Sequence, residues 1–231
     1  METYFFDEYQ RSFTEKDVLK KMHMPEDHAF GQSIASLLER TDEIAKPKSV
    51  MLKCHVDEIT SQTVTIEGYT FHSSILGKKL KGNEYVYPYI NTCGQELADY
   101  AKTLTDMVEQ FAFDAVMEFY LRQISAVSSG AADEFMAEGR SLSSSSPGSL
   151  IDWHIREQRI LFDLIGENVE RVGVELNDSF LMFPVKSTSG IRFGSEGVLH
   201  DCALCQKKNC PSRKVPFSME AFLSAKDEDD M

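Results

Sequence analysis

No run of about 18 apolar residues occurs in the 231-residue chain, so no membrane-spanning helix is expected. Basic surplus is missing as well: 24 Lys+Arg stand against 37 Asp+Glu, a formal charge of −13. Nucleic acids and anionic membranes are bound through basic surface, so neither is an expected partner. The first eight residues, Met-Glu-Thr-Tyr-Phe-Phe-Asp-Glu, carry no basic n-region, and a secretory signal is not expected. The cysteines number five, odd and widely spread, which does not suit a disulfide scaffold. A reduced, cytoplasmic protein is the expectation. The P-loop, Gly-x-Gly-x-x-Gly, Gly-x-Ser-x-Gly and His-Glu-x-x-His patterns are all absent, which argues against the enzyme classes built on them.

What is present is ordinary globular material, 42% apolar and 26% charged. Residues 1–46 read as an N-terminal helical extension, with a helix over Ser33–Arg40 that Lys46-Pro47 ends. Val50–Val56 and Thr63–Ile66 read as strands around a turn, Ser73–Lys81 as a short helix and Tyr85–Ile90 as a strand. From Gln95 the period becomes helical. Leu97, Tyr100, Ala101, Leu104, Met107 and Val108 form one apolar stripe. A second helix is expected over Phe111–Ile124 and a third over Ala131–Gly139. Leu142–Ser149 reads as a loop, and Asp152 as the N-cap of a helix over Trp153–Ile165 that stops at Gly166. Val172–Leu176, Ser179–Phe183 and Ser187–Phe193 read as strands, with Asn177-Asp178 as a turn, and 226–231 as a frayed acidic tail. The sum is an α+β domain over 47–225 with helices grouped in its middle.

Two segments carry candidate chemistry. Cys202-x-x-Cys205-x4-Cys210, with His200 just before it, offers three thiols and an imidazole within one loop. Such a set suits zinc or, with an outside ligand, an iron–sulfur cluster; the alternative is three reduced thiols at the surface. The second segment is Ser143–Ser149, a polar loop ending in Pro147-Gly148-Ser149. Proline fixes φ and glycine admits close approach to the main chain. Free N–H groups at a following helix start would then receive a carboxylate or a hydroxyl-rich ligand. A plain Ser-rich linker is the alternative. Glu118, on the helix from Phe111, reads as a solvent-facing carboxylate; Cys54-His55 suggests a nucleophile and base, but neighbours on a strand point to opposite faces, so Cys54 reads as core.

Three stretches then resemble one family. They are Thr92-Cys93-Gly94-x-Glu96-Leu97, leading into helices that contain Asp114; Ser146-Pro147-Gly148-x3-Asp152-Trp153-x4-Gln158; and Leu176-x2-Ser179-x2-Met182-x-Pro184-x2-Ser187-x-Ser189-Gly190. In order and spacing they are similar to the activation (reactivation) domain of cobalamin-dependent methionine synthase, over about 50–213. The resemblance implies a twisted antiparallel sheet flanked by helices and a groove for S-adenosylmethionine. It also implies a cobalamin (corrinoid) protein as partner, with a flavodoxin-like electron donor. The family's loop arginine and tyrosine fall on Ser144 and Ser149, and a serine cannot replace the arginine's two-pronged charge. Arg140, four residues upstream, is the candidate substitute, and Glu118 corresponds to a ligand-binding carboxylate of the family. The Cys-rich segment stands where the family carries a tyrosine pair. No Asp-x-His-x-x-Gly cobalamin motif is present, so any cobalamin belongs to the partner. These features imply a stand-alone S-adenosylmethionine-binding accessory protein for reductive methylation of a separate corrinoid protein. The alternatives are a docking module with a lapsed pocket and metal-bound Cys segment, or the groove reused for another small ligand.

Overall fold

The computed structural model describes residues 1–136, 139–210 and 213–226. The chain opens with strand β1 (Glu2–Phe6), followed by helices α1 (Glu15–Lys21) and α2 (Gly31–Ile44). The segment expected to be a helical extension thus also supplies an edge strand, which pairs Glu2–Phe6 antiparallel with Lys53–Ser49. Strands β2 (Lys48–Ile59), β3 (Thr63–Ile66) and β4 (Tyr69–His72) form a meander, and α3 (Ser74–Leu80) leads to β5 (Tyr85–Thr92). Two helices follow, α4 (Gln95–Ala101) and α5 (Met107–Asp133), then β6 (Ser141–Ser145). A 3₁₀ turn at Ile155–Glu157 enters α6 (Gln158–Ile165), with α7 (Asn168–Val172), β7 (Glu175–Leu176) and β8 (Met182–Phe183) behind it. Strand β9 (Ser187–Ser195), a 3₁₀ turn at Asp201–Ala203 and α8 (Met219–Lys226) complete the described chain.

The main sheet runs β4-β3-β2-β5-β9-β6, with β1 beside the first half of β2, and all its pairs are antiparallel. This is the expected α+β fold, a twisted antiparallel sheet flanked by helices. Alternation along the strands sorts side chains onto two faces. Val50, Leu52 and Cys54 of β2 and Ile191 and Phe193 of β9 pack against α3, α6 and Trp153. On the opposite face, Met51, Tyr87 and Tyr89 meet Ala132 of α5. Further along α5, Phe113, Val116 and Tyr120 build a second helical core with α1 and α2. Each such large apolar side chain stabilises by roughly 1.5–3 kcal/mol when fully buried. Among the described residues no helix is long and apolar enough to cross a membrane.

Several expected elements are corrected by tertiary context. The stripe from Leu97 to Val108 is not continuous: the chain leaves the helix after Ala101 and restarts at Met107. Asp106 imposes the restart, its carboxylate accepting from Val108 N at 3.0 Å and Glu109 N at 2.8 Å. Ala131–Asp133 is the last turn of α5 rather than a separate helix; residues 137 and 138 of the expected third helix, and 227–231 of the tail, lie outside the described residues. The first half of Leu142–Ser149, read as loop, belongs to an edge strand, Ser141–Ser145, on β9. Its hydroxyls find partners there, Ser143 Oγ lying 2.6 Å from Ser195 Oγ and accepting from Leu199 N at 2.8 Å, so serine's preference for turns is overridden. Asp152 caps a different helix from the one expected. It accepts from Ser73 Oγ at 2.8 Å, Ser74 Oγ at 3.1 Å and Ile75 N at 3.0 Å, at the start of α3. The turn into α6 is capped by His154 instead. The strands expected at 172–176 and 179–183 shrink to the two-residue pair β7–β8, whose turn Asn177 closes by accepting from Ser179 N and Leu181 N.

Gly94, in the Thr-Cys-Gly stretch, has φ 96°, and a Cβ there would stand 2.4 Å from the Lys46 carbonyl oxygen. Both the left-handed backbone and the contact exclude a side chain. Gly94→Ala is expected to cost at least about 2 kcal/mol, read as a lowered urea midpoint with an unchanged slope.

Candidate functional site

The seam between α5 and the sheet is polar at its centre. Asn91, fully buried on β5, accepts from Ser49 Oγ at 2.7 Å and Ser128 Oγ at 3.1 Å. Its amide donates to Ser125 Oγ at 3.2 Å and Thr188 Oγ1 at 3.1 Å, so all four hydrogen-bonding positions are used. From Ser128 the chain of contacts passes to Arg192 on β9, whose Nη2 donates to Ser128 Oγ at 2.9 Å. A cavity opens toward each end of this seam. The larger, about 820 Å³, is walled by Cys93, Asp114, Met117, Val174, Pro184 and Lys186, and Lys186 and Asp114 are ion-paired there at 2.8 Å. The smaller, about 340 Å³, lies between the β6–β9 ladder and the segment 198–202, with Ser144, Arg192, His200 and Lys214 on its wall.

The Ser-Pro-Gly loop and the Ser187–Gly190 strand stretch are adjacent. Ser146 Oγ donates to Ser189 O at 2.6 Å, and Ser145 pairs with Ile191 across the ladder. The loop's own groups are nevertheless engaged. Gly148 N donates to Trp153 O at 2.7 Å, Ser149 N to Ser146 O at 2.9 Å, and Ser146 N to Ser149 Oγ at 3.0 Å. Pro147 is buried, and no helix begins directly after Ser149. The loop hydroxyls meet an internal carboxylate: Asp201 accepts from Ser145 Oγ at 2.8 Å and from Ser149 Oγ. Asp201 also pairs with Lys79 Nζ at 2.5 Å, with only 13% and 9% of the two side chains exposed. A ligand carboxylate at this loop would have to displace the one the chain provides.

The remaining expected residues lie in other settings. Ser144 is exposed at the smaller cavity. Arg140 donates to the Gly194 carbonyl near the far end of the ladder and lines neither cavity. Glu118 lines neither cavity; it pairs with Lys21 at 3.0 Å and with Arg122, tying α5 to α1. Burial pushes its carboxyl up, but the Lys21 hydrogen bond and the charges of Arg122, Lys21 and Lys186 outweigh this, and its pKa lies below the ordinary glutamate value. Cys202, Cys205 and Cys210 share one loop with His200, yet among the described residues no three His, Cys, Asp or Glu side chains form a metal-holding group. The Arg213 guanidinium occupies the loop's interior, donating to the carbonyls of Cys202 at 2.8 Å and Cys205 at 3.0 Å and also to Lys207 and Val215.

Sequence reasoning missed Arg192, Asp201 and Lys79. A lone charge between Ile191 and Phe193 in a strand was the available signal for Arg192, since the ladder turns that position inward against α5. Nothing in sequence joins Asp201 to Lys79, 122 positions away.

No protein-family model matches the chain, and no curated protein does. Among solved structures the chain is similar to the crystal structure of the MetH reactivation domain bound to AdoHcy. The TM-score is 0.58 at 12% identity, over 84% of this chain and 78% of that one. At this identity the likeness establishes the fold.

Two measurements follow. Because the Glu118 pKa is lowered, its stabilising contribution is complete above the ordinary carboxylate range and is lost as pH falls through the lowered value. Urea unfolding is expected to show a smaller pH dependence between pH 5 and 3 for Lys21→Ala than for wild type. Cys54 and Cys93 are buried, which pushes both thiols up to about 12. At pH 8 a disulfide reagent is therefore expected to spare these two until unfolding, and to reach Cys202, Cys205 and Cys210 in native, chelator-treated protein.

Proposed function

We propose that this chain is an S-adenosylmethionine-binding accessory protein that serves reductive methylation of a corrinoid held by a separate protein. The observation that carries the reading is the fold, similar over four-fifths of the chain to a reactivation domain whose structure holds AdoHcy. The adjacency of the Ser144–Ser149 and Ser187–Gly190 stretches supports it, as does the cavity beside Ser144. In such a reaction a partner, flavodoxin-like in the family resembled, supplies one electron to the inactive corrinoid. The reduced cobalt then takes the sulfonium methyl, releasing S-adenosylhomocysteine. The role of this chain is to present the methyl in line, a matter of position rather than of acid–base chemistry.

A second reading is favoured by one observation. Asp201 occupies the loop hydroxyls, which suits a docking module whose donor pocket has lapsed. In that reading zinc or an iron–sulfur cluster on Cys202, Cys205, Cys210 and His200 would shape the docking surface, and Arg213 would first have to leave the carbonyls it binds. Metal analysis of anaerobically purified protein tests that part. For the leading reading the test is calorimetry with S-adenosylmethionine and S-adenosylhomocysteine. Losing a charge-assisted clamp costs on the order of 1.5–3 kcal/mol, about tenfold or more in affinity. Saturable but weak binding of both is therefore expected. No heat at about 1 mM ligand, with a corrinoid protein still captured, would leave the docking module.

A further inference from the structure

Arg192 is 2% exposed, in the middle of β9. Its guanidinium lies 3.9 Å from the centre of the Tyr89 ring, with Nη2 on Ser128 Oγ at 2.9 Å and Nη1 on the Met51 sulfur at 3.5 Å. Those partners are neutral. Among the described residues no carboxylate pairs with it, although the chain carries 37 Asp+Glu. A guanidinium keeps its proton in proteins, and a buried charge without a counter-charge is costly to maintain. Burial pushes its pKa down, and the Tyr89 side chain offsets this only in part. The side chain lines the 340 Å³ cavity, where Lys214 adds a second cation. The acid on that wall, Asp201, is already engaged by Lys79, Ser145 and Ser149. Among the described residues the cavity therefore has a fixed, forked cation and no carboxylate paired with it.

The register makes the position specific. Arg192 stands directly opposite Ser144 across the β6–β9 ladder, and opposed residues share one face with their Cβ atoms about 5 Å apart. Ser144 is where the resembled family carries its loop arginine. The charge missing from one strand is present on its cross-strand partner.

We propose that Arg192 is the anchor for a ligand carboxylate in this cavity, supplying from β9 the guanidinium that Ser144 does not. The identity of that ligand as S-adenosylmethionine rests on the function proposed above; the carboxylate anchor does not. A planar fork with free N–H donors matches a carboxylate with two parallel hydrogen bonds.

Calorimetry with S-adenosylmethionine and 5′-methylthioadenosine, which lacks the amino-acid carboxylate, separates the two claims. Arg192→Gln is expected to weaken S-adenosylmethionine tenfold or more and to leave 5′-methylthioadenosine unchanged. Ser144→Asp alters an exposed residue, so it keeps the test open if Arg192→Gln fails to fold. It is expected to weaken the same ligand by placing an internal carboxylate beside the guanidinium. Equal effects on both ligands, or none, overturn the proposal while the function reading stands. If neither adenosyl compound binds wild type, that reading fails, and Arg192 is judged by nuclear magnetic resonance with L-methionine. A ligand-dependent shift of the Arg192 Nε–H signal, lost in Ser144→Asp, supports the anchor. No shift, or a preference for inorganic phosphate, overturns it.

Discussion

The structure turns on one buried amide. Asn91 of β5 ties helix α5, through Ser125 and Ser128, to the side chains of its two ladder neighbours, Ser49 of β2 and Thr188 of β9. A buried polar group is costly unless paired, and stabilising in its geometry when every lone pair and proton has a partner. With all four positions of Asn91 used, α5 has one register and one rotation over the sheet in which the network closes. That fixed placement sets Ser128 under Arg192 and Asp114 beside Lys186. Both cavities border α5 in that placement, through Asp114 and Met117 in the larger and Ser129 in the smaller.

The Ser-rich loop and the Cys-rich segment form a single unit. Asp201 belongs to the second and accepts from hydroxyls of the first, while Lys79 of α3 neutralises it on the same face of the sheet edge. Breaking a largely buried ion pair from one side costs roughly 3–5 kcal/mol, so the segment from His200 onward is anchored at its start. Beyond Asp201 its shape comes from Arg213, whose donors gather carbonyls as a small cation would. The Ser143–Ser149 loop is thereby a structural joint. One strand over, the Arg192 side chain stands at the smaller cavity without a carboxylate partner among the described residues.

Strands rich in β-branched and aromatic residues were legible from the sequence alone. Val50–Val56, Thr63–Ile66 and Tyr85–Ile90 all fall inside observed strands, and Ser33–Arg40, Phe111–Ile124 and the stop at Gly166 are equally plain. Ser141–Ser145 was not legible. Four serines in five residues carry turn chemistry, and only the hydroxyls and N–H groups across β9 and at Leu199 make a strand of them. Asp152 reads as a cap and is one, but of α3, about 77 residues earlier in the chain. Cap chemistry is local in type and non-local in address.

The amino-acid pattern by itself determined the α+β class, the burial of Cys54, the lack of a long apolar span and the three stretches that resemble one family. Those properties depend on period, composition and short spacing, which a linear chain displays directly. Tertiary structure alone decided that Glu118 ties two helices together, that Asp201 fills the loop beside Ser149, and that Arg192 faces Ser144. Each depends on a partner between 48 and 97 positions away, and the strand register and helix packing that bring such partners together are cooperative properties of the closed core.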